Sequence, residues 1–375
     1  MAVEYLPAEV GMALEEVDTP ALLVELDAFE WNLGQMARET SDKGMRLRPH
    51  AKAHKCAVIA LRQMSLGAVG VCCQKVSEAE ALVRRCVGDV LITNEVIGRR
   101  KLARLVSLAQ RATVAVCIDN LDNLEELNTV ARSSDVHIEV LVEIDVGGGR
   151  CGVQPGEPAL VLAERAQSSS NLRFKGLQAY QGRAQHIRAY AARRSFIDQS
   201  AEAVRQTLDL LSRRGLSCDV VTGGGTGTYP FETASGVYNE LQAGSYIFMD
   251  ADYRRNLNEV GTEITDFRQS LFVYTQVMSI PGRNCAIVDA GLKALAFDSG
   301  MPTLEDFPNI RYCNPSDEHG VLDVSEAPGA LSLGSKLKLI PGHCDPTVNL
   351  YDWYVAVRGG RVEELWPIVG RGAVL

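Results

Sequence analysis

The sequence has no excess of basic residues, no long apolar run and no CxxC pair. Its 375 residues carry a net charge of -9 and a pI near 5.3, which argues against nucleic acid or an anionic membrane as a partner, because both bind basic surfaces. No stretch of the roughly 18 apolar residues that could cross a bilayer is present, and the chain opens with an acidic residue rather than a basic leader, so we expect a cytoplasmic protein. The ten cysteines are scattered, which predicts reduced thiols rather than a disulfide framework or a thiolate zinc site.

Short apolar runs rich in β-formers alternate with amphipathic helical segments over the first two thirds of the chain. Eight such runs predict an α/β fold of the (β/α)8 TIM-barrel type. An open doubly wound sheet is the alternative, but the glycine-rich turn expected after its first strand is missing. The predicted barrel strands are Met45–Lys52, Ala68–Gln74, Asp89–Asn94, Thr113–Asp119, His137–Asp145, Phe174–Tyr180, Cys218–Gly223 and Leu241–Met249.

After about residue 256 the pattern changes to strands divided by Pro, Gly and Asn turns, with no clear helix among them. We therefore predict a barrel domain over residues 20–255 and a smaller all-β domain over residues 256–375 that also takes in residues 1–19. The run Thr19–Leu26 either joins this β domain or leads into the barrel. The predicted strands of the β domain are Ser270–Met278, Cys285–Asp289, Lys336–Ile340, Trp353–Arg358 and Gly360–Trp366.

The first predicted barrel strand ends in two lysines and two histidines, in the run LRPHAKAHK over residues 47–55. A lysine at the C-terminal mouth of a barrel strand, shielded from water and beside other cations, loses its proton more easily and attacks a carbonyl to form a Schiff base. Lys52 is our candidate for this role. A solvated basic turn is the alternative interpretation of the run.

Polar residues also follow the other predicted strands, at the end of the barrel where chemistry takes place in this fold. Any one of them would serve as a loop hydrogen-bonding group, but their joint position predicts a functional site there. These strand-end residues are Lys52, His54, Gln74, Asn94, Asp119, Asp145, Tyr180, Gly223–Thr228 and Gly244–Ser245.

The segment Thr222–Thr228, TGGGTGT, offers backbone N–H groups and hydroxyls with few side chains in the way, as in an anion-binding nest. It is not a Walker loop, because the lysine is absent. Gly244 and Ser245 would complete the nest, since phosphate sites near the last two strands are frequent in this fold. A plain glycine turn is the alternative. Together with Lys52, the nest predicts an aldehyde cofactor that carries a phosphate, which is pyridoxal 5'-phosphate (PLP).

A third cluster, PGHCDPT, lies in the predicted β domain. On an extended segment His343 and Asp345 would point to the same side and Cys344 to the other. An imidazole with a carboxylate suits Mg²⁺ or Mn²⁺ better than a thiolate-rich zinc site. A turn closed by the Asp-Pro step is the alternative.

The motifs along the chain resemble those of the D-threonine aldolase and 3-hydroxy-D-aspartate aldolase family, from about Thr19 to Arg371. The family belongs to the fold-type III PLP enzymes, whose barrel is similar to that of alanine racemase. HCDPT and the tail DWYVAVRGGRVEELWP look most similar to the hydroxyaspartate aldolases, whereas D-serine dehydratases tend to have a cysteine where this chain has Asp345. The motifs are RPHAKAHK, GVCCQKVSEAEA, ITNEV, EIDVGGGRCGV, LQAYQG, TGGGTGTY, ELQAGSYIFMDADY, DAGLKA, DEHG and GHCDPTVN.

The resemblance implies roles for individual residues. Lys52, and not Lys55, would bind PLP as a Schiff base, and His343 with Asp345 would bind a divalent cation. A homodimer is implied as well. The residues implied to contact the cofactor are Gln74, Thr226, Gly244, Ser245 and Tyr253, mostly at its phosphate, and Arg150 and Tyr180 near its pyridine ring.

The resemblance also implies cleavage of the Cα–Cβ bond of a small-molecule substrate, a D-3-hydroxy amino acid. The β-hydroxyl would lose its proton to His343, to a water or to a neighbouring histidine, with the metal polarising the hydroxyl. The first choice of reaction is 3-hydroxy-D-aspartate to glycine and glyoxylate. The alternatives are D-threonine aldolase, a D-serine or 3-hydroxyaspartate dehydratase or a racemase on the same scaffold, and a PLP-binding regulatory protein. Partners considered for the second carboxylate are Arg183, His186, Arg254 and Arg255.

Overall fold

The computed structural model describes residues 5–375, so that residues 1–4, which the predicted β domain includes, lie outside the described residues. The described chain forms an eight-stranded sheet and a nine-stranded sheet. The strands are β1 (Ala21–Glu25), β2 (Arg46–Leu47), β3 (Val71–Cys73), β4 (Asp89–Glu95), β5 (Thr113–Ile118), β6 (Ile138–Glu143), β7 (Leu172–Gln178), β8 (Val220–Gly223), β9 (Glu240–Leu241), β10 (Leu271–Gly282), β11 (Cys285–Val288), β12 (Thr303–Leu304), β13 (Arg311–Pro315), β14 (Gly320–Asp323), β15 (Lys336–Ile340), β16 (Trp353–Arg358) and β17 (Arg361–Pro367).

The longer helices cover the outside of the eight-stranded sheet because one face of each is apolar. In α4, for example, Leu102, Leu105 and Val106 are buried at a spacing of three and four residues. Asn120 begins α5 as a side-chain cap that accepts hydrogen bonds from two backbone N–H groups. The helices are α1 (Leu26–Asp42), α2 (Ala57–Ser65), α3 (Val76–Val83), α4 (Arg99–Ala109), α5 (Leu121–Ser133), α6 (Glu157–Ser168), α7 (Tyr190–Arg213), α8 (Tyr229–Ala234), α9 (Ala251–Arg254) and α10 (Cys344–Val348).

The eight-stranded sheet runs in the order β2-β9-β8-β7-β6-β5-β4-β3, and every neighbouring pair is parallel. A parallel bridge between His50 and Cys72 joins its two ends, and the N–H of Cys72 donates to the carbonyl of Pro49 at 2.8 Å. The sheet therefore curls into a barrel, which confirms the predicted fold class.

Side chains inside the barrel change from apolar to polar along the strand direction. Cys72, Leu91, Ala115 and Leu141 form a small buried apolar cluster in the lower layer. Further along β3 to β9 come polar side chains at or near the strand ends, the half-buried Gln74 and the buried Thr93, Glu143, Gln178 and Gln242. The polar layer thus lies at the C-terminal end of the barrel, where the sequence predicted a site.

Two predicted barrel strands extended too far. Met45–Lys52 is a strand only at Arg46–Leu47, and Lys52 lies in a 3-10 turn over Ala51–Ala53. Pro49 has no N–H for a continuing ladder, which explains the early end. Leu241–Met249 likewise ends at Leu241 and is followed by a 3-10 turn over Ser245–Ile247.

The nine-stranded sheet runs in the order β11-β14-β13-β12-β15-β10-β1-β16-β17. Strand β1 lies within it, antiparallel to β10 and parallel to β16, so the early run joins this sheet rather than the barrel sheet. The five expected strands are present as β10, β11, β15, β16 and β17. The sequence missed β12 to β14 and the short helix α10. No helix within residues 5–375 is long and apolar enough to cross a membrane.

Candidate active site

A cavity lies at the C-terminal end of the barrel, with about 460 Å³ of space including its mouth. All eight residues that the resemblance placed around a cofactor line it, so the fold brings together residues from Lys52 to Tyr253. We call it the loop cavity. Its lining is His50, Lys52, Ala53, Gln74, Thr93, Arg150, Gln178, Tyr180, Gly224, Gly225, Thr226, Gln242, Gly244, Ser245 and Tyr253.

Lys52 reaches across the cavity rim to Asp345. Its ammonium group contacts Oδ2 of Asp345, and Ser245 Oγ donates to the other carboxylate oxygen at 3.2 Å. Burial by itself would lower the pKa of Lys52, but the Asp345 carboxylate more than offsets this effect and holds the pKa above its ordinary value. The expectation that Lys52 loses its proton easily is therefore wrong for this arrangement, because it did not include a carboxylate distant in sequence.

The glycine loop after β8 has the shape of an anion site. Gly224 has a φ of +76°, which favours glycine, and the Gly227 N–H donates to Oε1 of Gln185 at 2.9 Å. The hydroxyl oxygen of Thr226 is buried and has no hydrogen-bond partner. A Cβ atom at Gly244 would lie 2.7 Å from the carbonyl oxygen of His50. The loop thus offers an unpaired buried hydroxyl beside a turn that is held open by its neighbours, and it fits a phosphate group.

A buried carboxyl group lies behind this loop. Glu232 is in α8, and its Oε1 accepts a hydrogen bond from Thr228 Oγ1 at 2.7 Å. Burial raises the pKa of Glu232 to about 7. The group therefore carries less negative charge near neutral pH than an exposed glutamate, which favours an anion in the loop.

The floor of the loop cavity also contains four polar residues that the sequence did not suggest, His50, Thr93, Gln178 and Gln242. His50 Nε2 lies 3.0 Å from Thr93 Oγ1 and 3.1 Å from Gln74 Nε2, and Gln242 Nε2 donates to Gln178 Oε1 at 2.7 Å. Burial, and then the charge of Lys52, lower the pKa of His50 well below its ordinary value, so its ring is neutral. The signal that could have found them is their position at strand ends on the barrel's inner face.

Arg150 and Tyr180 form one wall of the loop cavity. The guanidinium carbon of Arg150 lies 5.7 Å from the centre of the Tyr180 ring, within the range of a cation–π contact. Arg150 Nη2 also lies 3.4 Å from Oε1 of Glu143. A cation therefore stands over an aromatic ring at the cavity edge, with a carboxyl group behind it.

A second, wider cavity shares Lys52 and Gln74 with the loop cavity and contains about 1110 Å³ of open space. His343 and Asp345 both line it, which brings the predicted metal pair beside Lys52. We call it the helix cavity. Its remaining lining residues are Lys55, Lys75, Glu78, Ala296, Phe297, Asp298, Pro346, Asn349, Ala373 and Val374.

His343 and Asp345 are not on an extended segment, as the sequence predicted. His343 precedes the helix α10 and Asp345 lies in its first turn, where Pro346 is tolerated because a first-turn N–H has no helical partner. His343 Nδ1 lies 2.7 Å from Oδ2 of Asp298, a residue that the sequence did not suggest. The pairing leaves Nε2 as the second ring nitrogen of His343.

Several cations near the site are already paired. Lys55 Nζ lies 2.7 Å from Glu78 Oε1 and does not line the loop cavity. His186 and Arg255 both contact Asp252, and Arg254 lies 3.7 Å from Glu305. Arg183 lines a neighbouring cavity together with Arg150 and Tyr180.

Two family models match the chain. Residues 24–252 match the alanine racemase N-terminal domain, and residues 270–357 match the putative serine dehydratase domain. A 3-hydroxy-D-aspartate aldolase of Paracoccus denitrificans (strain Pd 1222) is 46% identical over 98% of this chain and 95% of its own. A D-threonine aldolase of Arthrobacter sp. is 47% identical over 98% of this chain and 96% of its own.

The crystal structure of a D-threonine aldolase from Filomicrobium marinum superposes with a TM-score of 0.96 at 49% identity, covering 99% of this chain and 100% of that one. The nearly equal identities to a hydroxyaspartate and a threonine aldolase do not separate these two substrates. The family assignment made on the motifs is confirmed. The chain belongs to the D-threonine aldolase and 3-hydroxy-D-aspartate aldolase family, a family of lyases built on an alanine-racemase-like barrel.

Proposed function

We propose that this protein is a PLP- and divalent-metal-dependent aldolase that cleaves the Cα–Cβ bond of D-3-hydroxy amino acids, with 3-hydroxy-D-aspartate as the preferred substrate and glycine and glyoxylate as products. One observation carries the proposal. The amine of Lys52 lies where two cavities meet, one with an anion-binding loop and one with an imidazole and a carboxylate. Such an aldolase needs these two chemistries on either side of one lysine.

The residues of the loop cavity fit PLP. Thr226, whose buried hydroxyl has no partner, and Ser245 would hold its phosphate with the backbone of the loop. Lys52 would hold its aldehyde carbon, and Arg150 with Tyr180 would flank its ring. When bound, PLP supplies an electron sink for the electron pair that the broken bond leaves behind.

The helix cavity fits a divalent cation held by two protein ligands. His343 Nδ1 is oriented by the carboxylate of Asp298, an arrangement common for metal-binding histidines, which leaves Nε2 for the metal. No three His, Cys, Asp or Glu residues cluster as a metal site within residues 5–375. Two protein ligands with waters are typical of Mg²⁺, and Mn²⁺ accepts similar donors. When bound, a divalent cation lowers the pKa of a hydroxyl that coordinates it.

His343 is the proposed catalytic residue of this cavity. Its Nε2 atom would act either as a metal ligand or as a base. As a metal ligand it would orient the β-hydroxyl of the substrate through the cation. As a base it would accept the hydroxyl proton directly. The two roles use the same nitrogen and exclude each other. Full cleavage in a chelator would assign His343 to the base, whereas loss of cleavage would show that the cation is needed and would support His343 as its ligand.

The side-chain carboxylate of 3-hydroxyaspartate would lie in the helix cavity. It is attached to the same carbon as the β-hydroxyl, so a hydroxyl near His343 and Asp345 brings the carboxylate there too. Lys75 is the suitable cation, because it lines this cavity and forms no ion pair with any residue of the described chain. Lys55 is paired with Glu78 and Lys52 with Asp345. An unpaired ammonium group favours a dicarboxylate substrate over threonine.

The experiment incubates the purified protein with PLP, a divalent cation and one D-3-hydroxy amino acid at a time, and identifies the carbonyl product with and without a chelator. Glyoxylate and glycine from 3-hydroxy-D-aspartate, formed faster than acetaldehyde from D-threonine, support the proposal. Faster release of acetaldehyde would make it a threonine aldolase. Pyruvate or oxaloacetate with ammonia would replace it by a dehydratase.

The substrate preference is tested separately with Lys75→Met, which keeps the length of the side chain and removes its charge. We expect KM for 3-hydroxy-D-aspartate to rise about tenfold, the factor that corresponds to about 1.4 kcal/mol, while KM for D-threonine changes little. Lys101→Met, at an exposed lysine of α4 away from both cavities, is the matched control. Equal changes in KM for both substrates would show that Lys75 does not bind the second carboxylate.

A further inference from the structure

Two carboxyl side chains, those of Glu95 and Glu143, lie behind the wall formed by Arg150 and Tyr180. Glu95 ends β4 and Glu143 ends β6, so they stand on either side of β5. Oε1 of Glu95 and Oε2 of Glu143 are buried and have no hydrogen-bond partner. A buried carboxylate oxygen without a donor is costly. One proton placed between the two carboxyl groups would satisfy both oxygens at once.

The charges around Glu143 favour such a shared proton. Burial, and then the negative charge of Glu95, raise the pKa of Glu143 to about 8, while Arg150 acts against the shift. The thiols of Cys117 on β5 and of Cys151 in the loop after β6 stay neutral, since burial raises the pKa of each. On β7 the neighbour of Glu143 is the uncharged Gln178. Burial and the neighbouring negative charge therefore both disfavour an ionised Glu143.

Arg150 is the cation that forms an ion pair with Glu143. Its side chain is 54% exposed, and Glu143 is the one acidic residue within residues 5–375 with which it forms an ion pair. A long, half-exposed arginine has many rotamers, and an anchor at one side restricts them. The same guanidinium group lines the loop cavity over Tyr180. The position of Arg150 at the loop cavity thus depends on the carboxyl group of Glu143 behind it.

We propose that Glu143 and Glu95 are positioning residues, whose carboxyl groups share one proton and use the remaining negative charge to hold Arg150 over Tyr180 at the edge of the cofactor cavity. The inference rests on the proposed binding of PLP in that cavity. Loss of the charge releases the guanidinium group. Loss of the proton leaves two buried negative charges that repel each other.

A double-mutant cycle on PLP affinity tests this role, with binding followed by the visible absorption of the bound cofactor. We expect Glu143→Gln to weaken PLP binding about tenfold, and Arg150→Lys to weaken it similarly. Because Glu143 acts through Arg150, the double variant should bind no worse than Arg150→Lys alone. Glu240→Gln is the control, since Glu240 is also buried and lies 3.2 Å from an arginine, Arg48, but does not line either cavity. Its effect should add to that of Arg150→Lys.

The pH dependence distinguishes a pair from a single carboxylate. The wild type should show a change in PLP affinity near pH 8, where the shared proton leaves. Glu95→Gln should move this change to lower pH, because burial alone, without the negative charge of Glu95, then raises the pKa of Glu143. Additive effects of Glu143→Gln and Arg150→Lys, or a pH 8 change that persists in Glu95→Gln, would overturn the inference. Absence of PLP binding in the wild type would instead overturn the proposed function.

Discussion

The two cavities that meet at Lys52 are built from different parts of the chain. In the loop cavity the proposed anion site is formed by backbone, with Gly224 at positive φ and the N–H of Gly227 fixed by Gln185. In the helix cavity the polar groups are side chains that hold one another, with Asp345 on Lys52 and His343 on Asp298. A backbone site has its shape before the ligand arrives, whereas paired side chains must exchange partners when a ligand binds.

The largest effect is expected at Lys52, where the two cavities join. Lys52→Ala should remove the visible absorption of protein-bound PLP and lower cleavage by roughly a thousandfold or more, because it removes the nucleophile. Borohydride trapping followed by peptide mapping should find the cofactor on Lys52. Lys55→Arg, which keeps the ion pair with Glu78, is the control and should retain the label. A label on Lys55 in the wild type would contradict the assignment.

The helix cavity is tested next with Asp345→Ala. The variant should keep the absorption of bound PLP, since Lys52 remains, but lose cleavage by about a hundredfold together with its response to divalent cations. Asp298→Asn should have a smaller effect of about tenfold, because it only orients His343. Asp345→Ala with wild-type cleavage that a chelator still abolishes would place the metal elsewhere.

A smaller effect is expected in the loop cavity from Thr226→Val, which removes the hydroxyl and keeps the shape of the side chain. PLP should bind about tenfold more weakly, because one hydrogen bond to a charged group is lost. The cleavage rate at saturating PLP should change little. Thr226→Ser keeps the hydroxyl and should bind PLP as the wild type does. Unchanged PLP affinity in Thr226→Val would indicate that the backbone binds the phosphate without this hydroxyl.

The smallest expected effect is on the pH dependence of the unfolding free energy. The pKa of Glu232 is about 7 in the folded protein and about 4.5 as its ordinary value, so its contribution is fully present below pH 4.5 and is lost as the pH rises through 7. Glu232→Gln should flatten the fall of unfolding free energy between pH 5 and 7 by at most about 1.4 kcal/mol per pH unit. Denaturant midpoints at pH 5, 6 and 7 measure it. Glu259→Gln, at an exposed position, should leave the slope unchanged.

The barrel, Lys52 and the glycine loop of the loop cavity follow from local sequence rules. Alternating strands and helices predict a barrel, and residues at strand ends then converge without any knowledge of packing. For this reason Lys52 and the glycine loop could be found from the chain alone. Arg150 and Tyr253 needed the family resemblance, because nothing local distinguishes them from surface residues.

The arrangement of the helix cavity could not be predicted, because it depends on contacts between distant segments. Asp298 lies 45 residues before His343 and meets it only in the folded chain. The contact of Lys52 with Asp345 spans 293 residues, and it reverses the expected shift of the lysine pKa. The helix α10 was missed because an Asp-Pro step is equally typical of a turn and of a first helical turn.

The position of β1 also affects how the chain folds during synthesis. Leu22 pairs with Val273 on one side and with Tyr354 on the other, so the strand formed first in sequence acquires both neighbours last. Until the ribosome has made those segments, the apolar residues of β1 have no sheet to join and remain open to nonspecific association. Pairings of such large sequence separation are slow to form, so early translation is the period in which this protein most needs protection from aggregation.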